Sequence, residues 1–189
     1  MRPRGLRRRN LSEGSVLWRV DTQPPEDWSW AGFSTPRNLF DPEDGSFRVR
    51  YGATTAVGAF RERYLASGRY IPADHADHSL VRLDLVRSAR ALDLRTEANL
   101  DALDVDDRIS TGREVEVRRA CHQLLRAARA WWPDLDALVY RSRTTPETSS
   151  NLAFFSLDAV TAIGRPLRTC VPELDELVLL HRFTVGFNW

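Results

Sequence analysis

The 189-residue sequence predicts an α+β fold, and two observations carry that reading. Segments that alternate with a period of two lie scattered among segments of helical period, and no recurring strand–helix–strand unit orders them into a doubly wound sheet. Neither a G-x-G-x-x-G loop nor a G-x-x-x-x-G-K-[ST] loop is present, so neither a Rossmann dinucleotide site nor a P-loop is indicated. The expectation is a single domain of small mixed or antiparallel sheets with flanking helices, spanning residues 15–189 and preceded by a flexible basic arm over 1–14.

Five arginines fall within the first ten residues, a composition that suits a solvated interaction arm. SVLWRV (15–20) alternates as a strand, with Arg19 between Trp18 and Val20, and DTQPPEDWSW is a proline-broken loop. STPRNLFDPEDG (34–45) continues the loop, with Pro36, Pro42 and Gly45 as turn residues. In SFRVRY (46–51), Phe47, Val49 and Tyr51 point to one face and Arg48 and Arg50 to the other. Gly52 and Ala53 permit a tight exit, and Thr54 or Thr55 caps a helix that starts near Ala56.

On that helix Val57, Phe60 and Tyr64 form one stripe, whereas Glu62 lies over Gly58 and between Ala59 and Leu65, flanking the apolar face. Gly68 fits the helix stop. LVRLDLV (80–86) and RALDL (90–94) read as strands, and EANLDALDVDD (97–107) as a short acidic helix. Residues 113–132 carry the longest helical pattern, with Val117, Cys121, Leu124, Leu125 and Ala128 recurring at three and four until Pro133 ends it. DALVY (136–140) and NLAFF (151–155) read as strands around the polar loop RSRTTPETSS, and DELVLLHRF (175–183) as a last strand.

All 27 basic residues are arginine, the signature of a GC-rich bacterial coding bias, and the net charge of +1 singles out no polyanionic partner. No apolar run approaches the roughly 20 residues that a bilayer span requires. The basic N-terminus is followed by no continuous apolar signal core, so a cytoplasmic protein is expected. Cys121 and Cys170 are too few for a disulfide scaffold or a cysteine zinc site, and Cys121 reads as a buried inert thiol. His75 and His78 form an H-x-x-H pattern that no carboxylate set completes, so no metal is expected.

Four residues stand out as candidates for chemistry: Arg19, Tyr51, Glu62 and Ser142. Each also has a purely structural reading. A strand arginine is usually solvated or paired, a strand tyrosine usually packs in the core with its hydroxyl at the edge, Glu62 can pair with Arg61 or Arg63, and a loop serine usually bonds backbone.

The combination resembles the RES-domain family, the toxins of Xre–RES toxin–antitoxin pairs. LWRV, LFDPEDGSFRVRYGATTAVGAFRE and LVYRSRTTPETSSNLAFF carry the likeness over residues 17–155. The middle block is the most specific, with an RFDP-like turn, a strand ending in Tyr51, and an A-F-x-E helix that sets Glu62 eleven residues further on. The resemblance implies a fold similar to ADP-ribosyltransferases and a cleft for NAD as substrate. The family's arginine, tyrosine, glutamate and serine fall on Arg19, Tyr51, Glu62 and Ser142.

The implied activity is destruction of NAD by cleavage of its nicotinamide–ribose bond, through hydrolysis or phosphorolysis, without a metal. An Xre-type antitoxin would cover the cleft and provide the only link to nucleic acid. In these roles Glu62 stabilises the oxocarbenium-like ribose, and Tyr51 stacks on the cationic nicotinamide ring. Arg19, helped by Arg37, holds the pyrophosphate. Ser142 bonds the nicotinamide amide or the ribose. Leu39 departs from the family pattern, which has an arginine ahead of the Phe-Asp-Pro turn. The alternatives are transfer of ADP-ribose to a cellular protein and an NAD-binding module of weakened catalysis.

Overall fold

The structure is a computed structural model that describes residues 1–28, 38–42, 44–45, 47–112, 114–145, 147–155 and 158–189. In chain order the elements are β1 (Arg8–Leu11), β2 (Val16–Asp21), β3 (Arg50–Ala53), α1 (Ala56–Tyr64), β4 (Tyr70–Ile71), β5 (Ser79–Leu85) and β6 (Ala89–Asp93). They continue with α2 (Glu97–Leu103), α3 (Arg108–Thr111), α4 (Val115–Trp131), β7 (Ala137–Arg141), β8 (Ser150–Phe154), β9 (Val160–Pro166), α5 (Val171–His181) and β10 (Thr184–Val185). The α+β expectation holds. Eight strands form one mixed sheet in the order β1-β6-β7-β8-β3-β2-β5-β9, and β4 and β10 form a separate parallel pair.

Chain connectivity forces the large sheet to curl. β5 and β6 are joined through residues 86–88 alone, yet β2, β3, β8 and β7 stand between them in the sheet. Five strand spacings would span roughly 24 Å in a flat sheet, whereas the link reaches at most about 14 Å fully extended. The sheet therefore bends around an inner core to which Leu17, Leu83, Ala91, Val139 and Phe154 contribute from five strands. Its other face carries two helical layers. Cys121, Leu125 and Ala128 of α4 pack on Leu138 and Ala153, and Phe60 and Tyr64 of α1 join Leu174 and Leu177 of α5 over Val20, Ala53 and Leu80.

Three readings of the sequence change. The strand expected over 46–51 forms among the described residues only from Arg50, as β3, so Gly52 and Ala53 lie within it and not at its exit. The basic segment 1–14 is not a free arm, since β1 pairs antiparallel with β6 from Arg8↔Leu92 to Leu11↔Ala89. Arg9 reaches Asp93 at 3.1 Å and Arg8 reaches Asp134 at 2.8 Å. The side chain of Asn99 clasps the Arg7 backbone, accepting from its N–H and donating to its carbonyl. A strand whose residues are mostly exposed shows no apolar alternation, so backbone pairing and carboxylate partners alone define it. The C-terminal run DELVLLHRF belongs mainly to helix α5, because a short apolar run does not by itself distinguish strand from helix. Pro172 in its first turn favours the helix.

The junction from β3 into α1 positions the site. Thr55 caps α1, its hydroxyl accepting from Gly58 N–H at 3.0 Å. Thr54 ties the turn to β8, its N–H donating to the Ser150 carbonyl and its hydroxyl accepting from Ser150 N–H, each at 2.9 Å. The helix can approach this closely because residue 58 lacks a side chain: a Cβ there would lie 2.3 Å from Ser149 Oγ and 2.8 Å from Ser149 Cβ. Gly58→Ala is expected to push α1 off the start of β8 and to destabilise the protein by about 1–3 kcal/mol, as overpacking does. Urea denaturation of the two proteins checks this, and an unchanged midpoint would count against the close approach.

Candidate functional site

A cleft of about 340 Å³ opens over the centre of the sheet. Arg19 of β2, Tyr51 of β3, Glu62 of α1, Tyr140 of β7 and Asn151 of β8 line it, and Ser110, Gly112 and Arg118 close it from the α3–α4 side. It opens where the sheet is weakest. β2 and β3 share a single register pair, Trp18↔Ala53, while β3 and β8 pair along four residues.

Arg19 bridges the gap. Its Nη1 donates to the Tyr51 carbonyl at 3.2 Å and its Nε to Asp21 Oδ2 at 2.6 Å. Asp21 also faces the Arg50 guanidinium at 3.7 Å, and that guanidinium lies 4.6 Å from the ring centroid of Trp28. Burial raises the Asp21 pKa, but Arg19, a backbone N–H and Arg50 together hold it below the usual carboxylate value. Nη2 of Arg19 has no hydrogen bond among the described residues, so one corner of the guanidinium remains for a ligand.

Glu62 is exposed within the cleft, and one of its two oxygens is committed. Oε1 accepts from Ser142 Oγ at 2.7 Å, from Asn151 Nδ2 at 3.0 Å and from Thr144 Oγ1 at 3.1 Å. Oε2 accepts nothing from the described residues. Three donors, two from the loop after β7 and one from β8, fix the carboxylate plane and leave the second oxygen without a partner among the described residues.

Ser142 is fully buried and stands behind Glu62 rather than in the cleft lining. Its hydroxyl accepts from the backbone N–H of Thr144 and Thr145 and from the Thr145 hydroxyl, and its one proton goes to the carboxylate. Its geometry is that of a positioning residue. Asn151 arrives from the sheet register, opposite both Ala53 and Tyr140. Its Oδ1 is buried with no partner among the described residues.

Tyr51 lines the cleft with its ring while its hydroxyl is occupied elsewhere. That hydroxyl donates to Asp41 Oδ1 at 3.0 Å and accepts from Phe40 N–H at 3.0 Å. Asp41 in turn takes the backbone and side-chain N–H groups of Asn38. The Phe-Asp-Pro turn is thus an anchor, with Phe40 fully buried against Tyr140 at a ring separation of 4.9 Å. Burial and Asp41 push the Tyr51 phenol well above its usual value, and burial and Glu62 do the same to Tyr140. Arg37 lies outside the described residues.

The structure brings Arg19, Tyr51 and Glu62 to one cleft and sets Ser142 directly behind the carboxylate. Sequence reasoning missed Asn151, Tyr140, Ser110 and Arg118 as cleft residues. Only the register of β7 with β8 and the packing of α3 and α4 reveal them, and a polar residue within NLAFF was the sole hint for Asn151. His75 and His78 lie elsewhere, ring on ring at 3.9 Å beside Tyr64. Cys121 is buried, donates to the Ile109 carbonyl, and has its thiol pushed up to about 12.

A single α+β domain with an anchored carboxylate in a cleft at a split sheet is the class these features define. The RES-domain model matches residues 16–173, and the chain belongs to the RES-domain family. Among solved structures it is similar to a chain of the M. tuberculosis MbcT–MbcA toxin–antitoxin complex. The likeness has a TM-score of 0.58 at 12% identity and covers 88% of this chain and 90% of that one. It is a likeness of fold. No curated protein matches the chain in sequence.

The buried acids of the core set an alkaline limit to stability. The folded state raises Cys121 and Cys170 from 9.0 to about 12 and about 11, and raises Tyr51 and Tyr140 above 10.0. Below these unfolded values both states keep their protons and the stability is fully present. As pH rises past about 9 and then 10, the unfolded chain ionises first and stability falls. Lysine is absent, so no lysine side chain titrates in the same range. Urea midpoints should therefore drop between pH 8.5 and 11, with a shallower drop above pH 10 in the Tyr51→Phe/Tyr140→Phe double variant. Equal slopes would contradict the burial of these phenols.

Proposed function

We propose that this protein is a toxin that cleaves the nicotinamide–ribose bond of NAD and that a separate antitoxin protein neutralises it by covering the cleft. The observation that carries the reading is the Glu62 carboxylate, which lines the cleft and is held at Oε1 by three donors, while no described residue bonds its Oε2. Membership of the RES-domain family and likeness to a chain of a toxin–antitoxin complex support the toxin role and a protein partner.

The chemistry follows from the residue types. As the bond from ribose C1′ to the pyridinium nitrogen breaks, its electron pair leaves with nicotinamide, which departs neutral, and positive charge develops on C1′ and the ring oxygen. A fixed anion beside the ribose stabilises that charge without reorganising at the moment of reaction. Glu62 Oε2 supplies it and accepts a hydrogen bond from a ribose hydroxyl. The ring of Tyr51 offers an apolar face to the flat cationic leaving group. Its hydroxyl takes no part in proton transfer, being held by Asp41 and Phe40. The free corner of Arg19 holds a phosphate oxygen. Water, phosphate or a protein nucleophile then captures C1′ and gives up its proton.

The antitoxin is taken to be of the Xre type, so that contact with nucleic acid passes through it. Incubation of the purified protein with NAD should release nicotinamide. Glu62→Gln keeps the size of the side chain and removes its charge, and it should lower that release by roughly 10²–10³-fold while NAD still binds. Addition of phosphate, and a search for labelled protein in a lysate supplied with labelled NAD, identify the acceptor. A wild-type protein that leaves NAD intact under all these conditions would overturn the reading.

A further inference from the structure

The cleft carries more positive charge than the chain as a whole. Arg19, Arg63, Arg118 and Arg143 line it against the single carboxylate of Glu62, a lining charge of 4 − 1 = +3 in a protein of net charge +1. Arg19 is neutralised from behind by Asp21. Arg63 lies against the Tyr64 ring. Arg118 and Arg143 differ, since neither side chain makes an ion pair or hydrogen bond among the described residues. Elsewhere arginines that reach inward are matched: Arg95 by Asp93, Arg87 by Asp136 and Arg61 by the Thr144 carbonyl.

A second, independent feature lies on the same wall. Ser110 of α3 is 1% exposed, lines the cleft, and its hydroxyl oxygen has no partner among the described residues. A buried hydroxyl without a partner is costly unless a ligand or water supplies one. Beside it α4, a helix of 17 residues, begins at Val115 with no side-chain cap bond from its N-cap residue. That leaves the positive end of its dipole on the α3–α4 side of the cleft.

We infer that Ser110, Arg118 and Arg143 form a diphosphate-binding subsite, which shares the ligand's phosphate oxygens with the free corner of Arg19 in the same cleft. Two guanidiniums from separate elements match the two charges of a diphosphate ester, each through charge-assisted N–H···O bonds, and the Ser110 hydroxyl donates a further one. The inference rests on the NAD reading for the identity of the ligand, but the subsite is defined by the diphosphate alone.

The test is titration of the full-length protein with ADP-ribose, ADP, adenosine and inorganic pyrophosphate by calorimetry. Arg118→Gln and Arg143→Gln should each weaken ADP-ribose and ADP by roughly tenfold, as expected for loss of a charge-assisted contact. Ser110→Ala should weaken them by about threefold, and adenosine binding should not change. Arg119→Gln, which removes the same charge from an exposed neighbour outside the cleft lining, should behave as wild type. ADP-ribose binding that is indifferent to Arg118 and Arg143, or lowered equally by Arg119→Gln, overturns the subsite and leaves the NAD reading standing. Binding of ADP or pyrophosphate that depends on both arginines, in a protein that neither binds nor cleaves NAD, overturns the NAD reading and keeps the subsite. Failure of the wild type to bind any of the phosphorylated probes overturns the subsite.

Discussion

The architecture of the site depends on the joint between Glu62 and the segment running from Ser142 to Asn151. A carboxylate on a one-sided helix would ordinarily swing through its rotamers and hydrate both oxygens. Here Ser142, Thr144 and Asn151 converge on one oxygen, so the remaining lone pairs point where the backbone has fixed them. The joint requires α1 to lie close against the start of β8, which requires Gly58, and it requires the β7–β8 loop to fold back, which the Thr144 and Thr145 amides bonding to Ser142 accomplish. Each of the three contacts to Glu62 spans 80 or more residues of sequence. The geometry of the cleft is thus a property of the folded domain.

A second constraint governs the opposite wall. A strand pair held by one rung would expose main-chain groups to the cleft, and Arg19 resolves this by donating to the Tyr51 carbonyl. A guanidinium can be placed there only with an anion behind it, and Asp21 serves Arg19 and Arg50 together. Trp28 covers Arg50 with its ring. Buried ion pairs of this kind are weak evidence for stability. Their value here is geometric: they hold one edge of a cationic side chain rigid and leave the other open.

Much of the fold was legible in local pattern. The apolar stripe of α4, the alternation in β5, the short apolar run of β7 and the capping threonine of α1 each report a local cause and appear in the structure near the positions expected. What failed lacked local cause. β1 is polar and exists through its pairing with β6. α5 is an apolar run whose period is ambiguous. Strand β9, with Ile163 exposed and Gly164 packed against Pro25, was passed over because an edge strand need not bury both faces. For the site, Tyr51 and Glu62 were visible because one strand–turn–helix unit carries both. Ser142 and Arg19 were visible only through likeness to a family. Asn151, Tyr140, Ser110 and Arg118 come from separate segments, and no spacing rule joins them.

The distribution of charge follows from the same geometry. Leu39 lines the cleft where the family pattern leads one to expect arginine, and the Phe-Asp-Pro turn beside it is tied down by Tyr51 and Asp41. A rigid turn with an apolar tip contributes shape and no charge. A bound anion responds to the position of a cation and not to the element that supplies it, so the same field can be provided across the gap. Arg118 and Arg143 stand there without partners among the described residues, on a wall built from α3, α4 and the loop after β7. That wall also delivers Ser142 and Thr144 to Glu62. Arg143 and two of the three donors to Glu62 are therefore held by one stretch of chain, and a movement of the 142–145 loop would alter both together.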